Sequence, residues 1–345
     1  MLSKAEALAI VLAEAAKERA FEEAPLCAAL GRALTRDAVA DADIPPFEKS
    51  SMDGWAVRAA DVARAPRTLR VLGAIHAGSP APRPIEPGAT WKIMTGAPLP
   101  EGADAVIPVE DSTAAPDGAS VELRATAVPG RHVCRRGEDA RAGEAVVRAG
   151  TMLDAAALAV LAATGNDPAP TFAAPRVCVI PTGDELVRAD GPPPPPGKIR
   201  ESNGVLLEAQ IRATSPALTV LRPGVARDDR ASLDRFLDVG LDHDVLVLSG
   251  GVSMGDLDLV GVALKDRGLV PLVEKVSIKP GKPLLFGHAP RRSGGRCAVF
   301  GLPGNPVSSF CTFELFVRPY LLARLGVDDV APDEVAALLD HDREL

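Results

Sequence analysis

Carboxylates, lysines and glycine-rich turns recur in this chain where short apolar runs end. The densest case is Asp244–Asp258, DVLVLSGGVSMGDLD. Its stretch Ser249-Gly250-Gly251-Val252-Ser253-Met254-Gly255 has three glycines and two hydroxyls in seven residues. Such a run cannot pack a core, but it lets backbone N–H groups approach an anion closely. Asp256 and Asp258 follow. Similar chemistry recurs in Pro181-Thr182-Gly183-Asp184-Glu185, in Lys279-Pro280-Gly281-Lys282-Pro283 and in Leu302-Pro303-Gly304-Asn305-Pro306-Val307-Ser308, with Asp228 in a neighbouring loop. Carboxylates beside lysines and glycine backbone suit a divalent cation bridging anionic oxygens, with lysine as a point-charge clamp. Singly, each acid also reads as a helix cap or a solvated charge. The glycine loop alone equally reads as a tight strand-to-helix turn with Asp256 as its cap.

The surrounding pattern supplies elements to hold these loops. Val245–Leu248 is an apolar, β-branched run suited to a strand buried on both faces. Leu257, Val260, Ala263 and Leu264 predict a helix stopped by Gly268. Arg176–Ile180 and Leu218–Arg222 read as strands, and Ser202 or Asn203 caps a helix over Leu206, Leu207 and Ile211. Asp229–Leu241 reads as a helix, and strands follow near Leu269–Ile278, Pro283–Gly287 and Cys297–Leu302. Asn305-Pro306 then opens a long apolar helix to Leu325, with proline at its first position. Strands alternating with helices imply an α/β fold, a mostly parallel sheet with helices on both faces. Ligands of such sheets sit at the carboxyl ends of the strands, which would bring the loops above to one edge. Pro192–Pro196 reads as a stiff spacer within the first of these loops.

Upstream the character differs. Ser3 and Glu6 form a capping box ahead of Leu8, Val11, Leu12 and Ala15, and a second short helix is predicted over Leu26–Leu34. Strand-like runs at Leu69–Ile75, Thr90–Met94, Ala105–Val109 and Ser120–Ala125 alternate with Pro/Gly turns, and Leu153–Gly165 returns to helix with Asp154 as cap. The expected organisation is a helical module of residues 1–44 and 140–173, an inserted mainly-β module at 45–139, an α/β domain at 174–326 and a short tail at 327–345. At 345 residues, 47% hydrophobic and 24% charged, the composition is that of a multidomain globular protein. A net charge of −8 with 3% aromatics argues against nucleic acid as a partner. Five scattered cysteines without a CxxC pair argue against a disulfide framework or zinc site and for a reducing, cytoplasmic setting. No apolar run is long enough to span a bilayer.

SGGVSMGDLD, IKPGKP, GLPGNPVS and PTGDEL resemble, in order and spacing, the molybdopterin molybdotransferase family, which includes bacterial MoeA and the C-terminal domain of gephyrin. PPFEKSSMDGWAV (Pro45–Val57), IMTGAPLPEGADAVIPVED (Ile93–Asp111), RRGED (Arg135–Asp139) and GKIRESNG (Gly197–Gly204) match as well. The resemblance is collinear from the first helix to about Gly326, and several motifs together make it specific where the glycine loop alone would not.

The resemblance implies a MogA-like α/β domain and a transferase of molybdenum cofactor biosynthesis. That enzyme joins molybdate to adenylylated molybdopterin and releases AMP with Mg2+ or another divalent cation. It implies a homodimer whose site lies between the α/β domain of one subunit and the N-terminal modules of the other. Molybdopterin adenylyltransferase and molybdoenzyme apoproteins are the implied protein partners. Carried over by motif, Asp53, Thr95, Asp139, Glu185, Asp228 and Asp258 are tied to activity. Lys279, Lys282 and Ser308 match the molybdate pocket, and Thr182, Gly250, Gly251, Ser253 and Asn305 would hold pterin phosphate or adenylate. Asp184, Glu185, Asp256 and Asp258 are the expected cation ligands. Trp55 stands where the family more often has tyrosine. Family members usually continue into a small β domain that adds an arginine and a serine to the molybdate pocket; Val330–Leu345 is too short for one. The rival readings are a non-catalytic cofactor carrier or scaffold, and an adenylyltransferase of the related family that shares the GGVS-type loop. The SMDGWAV, MTGAP and RGED motifs speak against the latter.

Overall fold

The computed structural model describes residues 1–80, 83–251, 259–328 and 330. The chain divides into two compact units, one of Met1–Asp37, Arg148–Ala159 and Asp167–Leu345, the other of Ala38–Val147 and Val160–Asn166. It opens on α1 (Lys4–Lys17), started by the expected capping box. The Ser3 hydroxyl accepts from the Glu6 N–H at 3.2 Å, and the Glu6 carboxylate accepts from the Ser3 N–H at 2.8 Å. The second helix is shorter than predicted, Leu26–Ala29 rather than Leu26–Leu34. The chain turns at Gly31, and the amides of Gly31 and Leu34 go instead to the carbonyls of Leu153 and Thr151.

The second unit is built on a six-stranded sheet of β1 (Gly54–Val57), β2 (Arg67–Ile75), β3 (Ala89–Ile93), β4 (Ala105–Pro108), β5 (Ser112–Ala114) and β6 (Ser120–Leu123), in the order β4-β1-β3-β2-β6-β5. Only the β2–β3 pair is parallel. Trp55, Val57, Leu69, Ile107, Val121 and Leu123 form one apolar cluster, and Ala56, Ile75, Ile93 and Val106 another, as period-two alternation requires. Trp55 is buried, and its indole N–H donates to the Ser112 hydroxyl at 2.8 Å. The larger ring thus keeps a polar partner in an otherwise apolar core. Farther on, α2 (Ala155–Ala163) begins where the Asp154 carboxylate accepts from the Ala157 N–H.

In the first unit the α/β pattern is realised as β7 (Arg176–Pro181), α3 (Asn203–Thr214), β8 (Thr219–Leu221), α4 (Arg230–Gly240), β9 (Val245–Ser249), α5 (Leu259–Lys265), β10 (Val270–Lys275), β11 (Pro283–Pro290), β12 (Arg296–Leu302), α6 (Pro306–Thr312) and α7 (Arg318–Arg324). The sheet order is β8-β7-β9-β12-β11-β10. The first four strands are parallel; β11 and β10 run antiparallel to their neighbours. The mixed edge follows from connection length, because the short turns after Lys275 and Pro290 cannot carry a parallel crossover. Both faces are covered. Val245 and Val247 pack into the cluster of α1, α3 and α7 (Val11, Ile211, Tyr320), while Leu246 and Leu248 pack into that of α4 and α5 (Leu237, Val260, Leu264). The long helix expected from Asn305 to Leu325 is interrupted by a π turn at Phe313–Val317 that joins α6 to α7.

Replacing Ser112 with alanine strands the buried indole N–H and is expected to cost about 1–2 kcal/mol in urea unfolding. Trp55→Phe in the same background removes the orphaned donor, so the double variant should lose less than the sum of the two single losses.

Candidate functional site

Three parallel strands of the first unit end at one level. In register, Pro181 faces Ser249 and Ser249 faces Leu302. The pairing continues past the strand ends, with the Thr182 N–H donating to Ser249 O at 2.8 Å and the Gly250 N–H to Leu302 O at 3.1 Å. The loops therefore leave the sheet together and enclose a cavity of about 310 Å³. Gly250 is at φ +89°, and a Cβ there would lie 2.6 Å from Thr182 O. Only glycine lets the central loop turn against its neighbour so closely.

The cavity wall brings together Thr182, Glu185, Asp228, Gly250 and Gly251 from the predicted set. The Glu185 carboxylate folds back into the space that a Cβ on Gly183 would need. Asp184 and Asp228 are joined reciprocally: the Asp184 N–H donates to Asp228 Oδ2 at 3.3 Å, and the Asp228 N–H to Asp184 Oδ1 at 3.2 Å. Asn305 and Ser308 have a local task as well. The Asn305 side chain accepts from the N–H groups of Val307 and Ser308 and so caps α6. Lys279 and Lys282 are exposed in the β10–β11 connection and do not line the cavity, although Pro283 beside them does. Ser253, Asp256 and Asp258 lie outside the described residues.

Two helpers were not assigned from the sequence. Asn203, expected as a helix cap, instead reaches across the strand ends, its Nδ2 donating to the Ser249 hydroxyl at 2.7 Å and to Gly304 O at 2.8 Å. A carbonyl can only accept, so the amide orientation is fixed. Ser202 occupies the N-cap position without a side-chain bond; buried Glu201 takes the Gly204 N–H at 2.5 Å instead. Arg227 is the other helper, donating to carbonyls of the Gly183–Leu186 loop. Asn203 stands inside the GKIRESNG motif and Arg227 directly precedes Asp228, so the available signal was adjacency to stretches already singled out.

Among the described residues of the cavity wall, Glu185, Glu201 and Asp228 stand against Arg200, which donates to the carbonyls of Ala189 and Gly191. An anionic ligand would meet net negative charge here unless cations accompany it. Among the described residues no three His, Cys, Asp or Glu side chains gather as a metal site. Asp184, Glu185 and Asp228 are thus not a complete donor set by themselves.

In the second unit Asp53 and Thr95, far apart in sequence, are bonded to each other. Asp53 Oδ1 accepts from the Thr95 backbone N–H at 2.7 Å and from its hydroxyl at 2.8 Å. The backbone bond first and the hydroxyl second hold the Asp53 carboxyl below the usual carboxylate range. Asp139 is exposed, and its N–H donates to Ile44 O at 2.9 Å.

These features define an α/β protein with a cavity at its parallel strand ends, preceded by a β-rich region. Residues 2–165 match the model of the MoeA N-terminal region (domain I and II), and residues 178–323 that of a probable molybdopterin binding domain. The chain is 39% identical over 315 residues to molybdopterin molybdenumtransferase 2 of Mycobacterium tuberculosis (strain H37Rv), covering 88% of this chain and 75% of that protein. It is 36% identical over 332 residues to the molybdopterin molybdenumtransferase of Synechococcus elongatus, covering 94% and 80%. The crystal structure of the molybdopterin biosynthesis MoeA protein from Pyrococcus horikoshii OT3 superimposes with a TM-score of 0.71 at 29% identity, covering 96% of this chain and 81% of that one. The chain belongs to the MoeA family of molybdopterin molybdenumtransferases.

Gly250→Ala is expected to lower stability by about 1–3 kcal/mol through its positive φ alone, read as a shift of the urea midpoint. Thr95→Val removes one of the two donors to Asp53 and should raise that carboxyl's titration midpoint, followed by NMR. Because the folded-state value is depressed, this pairing favours the folded unit above the ordinary aspartate value of about 4 and is lost as pH falls below it.

Proposed function

We propose that this protein transfers molybdenum from molybdate to adenylylated molybdopterin, releasing AMP and the molybdenum cofactor. The observation that carries the reading is the meeting of Glu185 and Asp228 with the Gly250–Gly251 turn in one cavity of the segment matched to a probable molybdopterin binding domain. Release of AMP needs water to attack the phosphoanhydride, a proton to leave that water, and neutralisation of the departing phosphate. Glu185 is the group in this reading that accepts the proton; Asp228, joined to Asp184, lines the same cavity. Lys279 and Lys282 supply exposed ammonium groups for the molybdate dianion, suited to a small tetrahedral oxyanion by their rotatable donors. Asp53, Thr95 and Asp139 belong to the same reading as residues tied to activity, and so do Ser253, Asp256 and Asp258.

A divalent cation such as Mg2+ belongs to this reading, because the acidic wall of the cavity and an anionic substrate repel each other without one; bound, it would offset phosphate charge. Asp184 and Glu185, together with Asp256 and Asp258, are its proposed ligands. Among the described residues no helix is long and apolar enough to cross a membrane. A cytoplasmic homodimer with small-molecule substrates completes the proposal, with molybdopterin adenylyltransferase upstream and molybdoenzyme apoproteins downstream.

The test is to incubate the purified protein with adenylylated molybdopterin, magnesium and molybdate and to measure AMP. Glu185→Gln is expected to lower kcat by about 10²–10³, while Lys282→Ala should mainly raise the molybdate concentration needed. Tight pterin binding without AMP release would favour the carrier reading and end this one. Sedimentation as a monomer at micromolar concentration would remove the dimer from it.

A further inference from the structure

The loop that carries Glu185 is held from behind by cations that do not themselves line the cavity. Arg227 Nη1 lies 2.9 Å from Leu186 O, 3.1 Å from Asp184 O and 3.4 Å from Gly183 O. Lys198 Nζ donates to Asp184 O at 2.7 Å, and the Ile199 N–H to Glu185 O at 2.8 Å. All four carbonyls of Gly183–Leu186 therefore have donors from other segments. Three carbonyl dipoles converging on one point repel one another unless positive charge occupies that point. Arg227 supplies it and cannot lose its proton near neutral pH. Its own backbone is anchored, the Arg227 N–H donating to the Ser232 hydroxyl at 2.9 Å just inside α4, whose N-cap is Asp229. The link thus runs from the start of a packed helix, through one guanidinium, to the curvature of the loop and the direction of Glu185.

We propose that Arg227 is a positioning residue that holds Glu185 in its working orientation, acting through the loop carbonyls and not on substrate. The proposal rests on the molybdenum-transfer reading in giving Glu185 a reaction to serve. The test compares Arg227→Met, Arg227→Lys and, as a charge-matched control, Arg230→Met, whose parent arginine pairs with Asp234 and Asp266 on the helical side. Steady-state AMP release and amide hydrogen exchange over residues 182–187 are both measured. Arg227→Met is expected to lower kcat by about 10²-fold with KM for the pterin substrate within about twofold, the signature of a displaced group. It should also speed exchange of the Gly183, Asp184 and Leu186 amides. Arg227→Lys should recover most of both, since an ammonium still reaches these carbonyls, and Arg230→Met should change neither.

In a Glu185→Gln background, Arg227→Met should add no further loss. A full additional loss there, or Arg227→Met with wild-type kcat or unchanged loop exchange, overturns the proposal. Wild-type protein that releases no AMP overturns the transfer reading instead, and the exchange comparison then decides whether Arg227 holds the loop.

Discussion

The common level at which β7, β9 and β12 stop is the constraint from which the rest of the site follows. Pro181, Ser249 and Leu302 face one another in register, and the next amides continue the ladder by one bond on each side. Loops that leave a sheet in this way cannot spread apart, so their side chains and amides are forced to share one volume. The cost is crowding. It is relieved by the turn at Gly250, by the Asn203 amide spanning Ser249 and Gly304, and by buried Glu201, which caps the start of α3 without using the side chain of Asn203. The Asn203 amide N–H groups and the Gly204 N–H are thereby satisfied inside the protein.

Asp53 shows the same economy in the other unit. Its carboxylate is exposed, yet one oxygen takes both donors of Thr95, which fixes the loop from β3 against the residue ahead of β1. Two motifs 42 residues apart in the chain thereby become one local structure. Thr95 is consequently explained by a hydrogen bond as well as by any direct part in chemistry.

Much of the fold was legible because it is written in short-range patterns. Apolar runs, capping residues and Pro/Gly turns located the six strands of the α/β sheet, β2, β3, β4 and β6 of the other sheet, α1, α4 and the start of α6 to within a few residues, but not the short strands β1 and β5. The reversal of β11, which makes its pairings with β12 and β10 antiparallel in an otherwise parallel sheet, was not legible because strand direction depends on connection length, which an apolar run does not encode. Leu30–Leu34 departed because apolar spacing does not record the backbone bonds to Thr151 and Leu153 that compete with helix. In the site, residue types that do chemistry were visible: Glu185, Asp228 and the glycine pair converge. Arg227 and Asn203 were harder to see, since their partners are carbonyls and hydroxyls distant in sequence, and a backbone carbonyl has no letter of its own. Ser202 and Asn203 illustrate the point, because both are good cap residues by type while the cap is supplied by Glu201.

The segment Pro192–Pro196 lies between two short strands at the cavity rim, Leu186–Val187 and Ile199–Arg200, which pair in parallel. Proline has no N–H to give, so this stretch cannot lengthen that pair into a ribbon open to recruitment by a neighbouring molecule. Five consecutive imino acids thus leave the backbone between the two strands without donors for further sheet pairing.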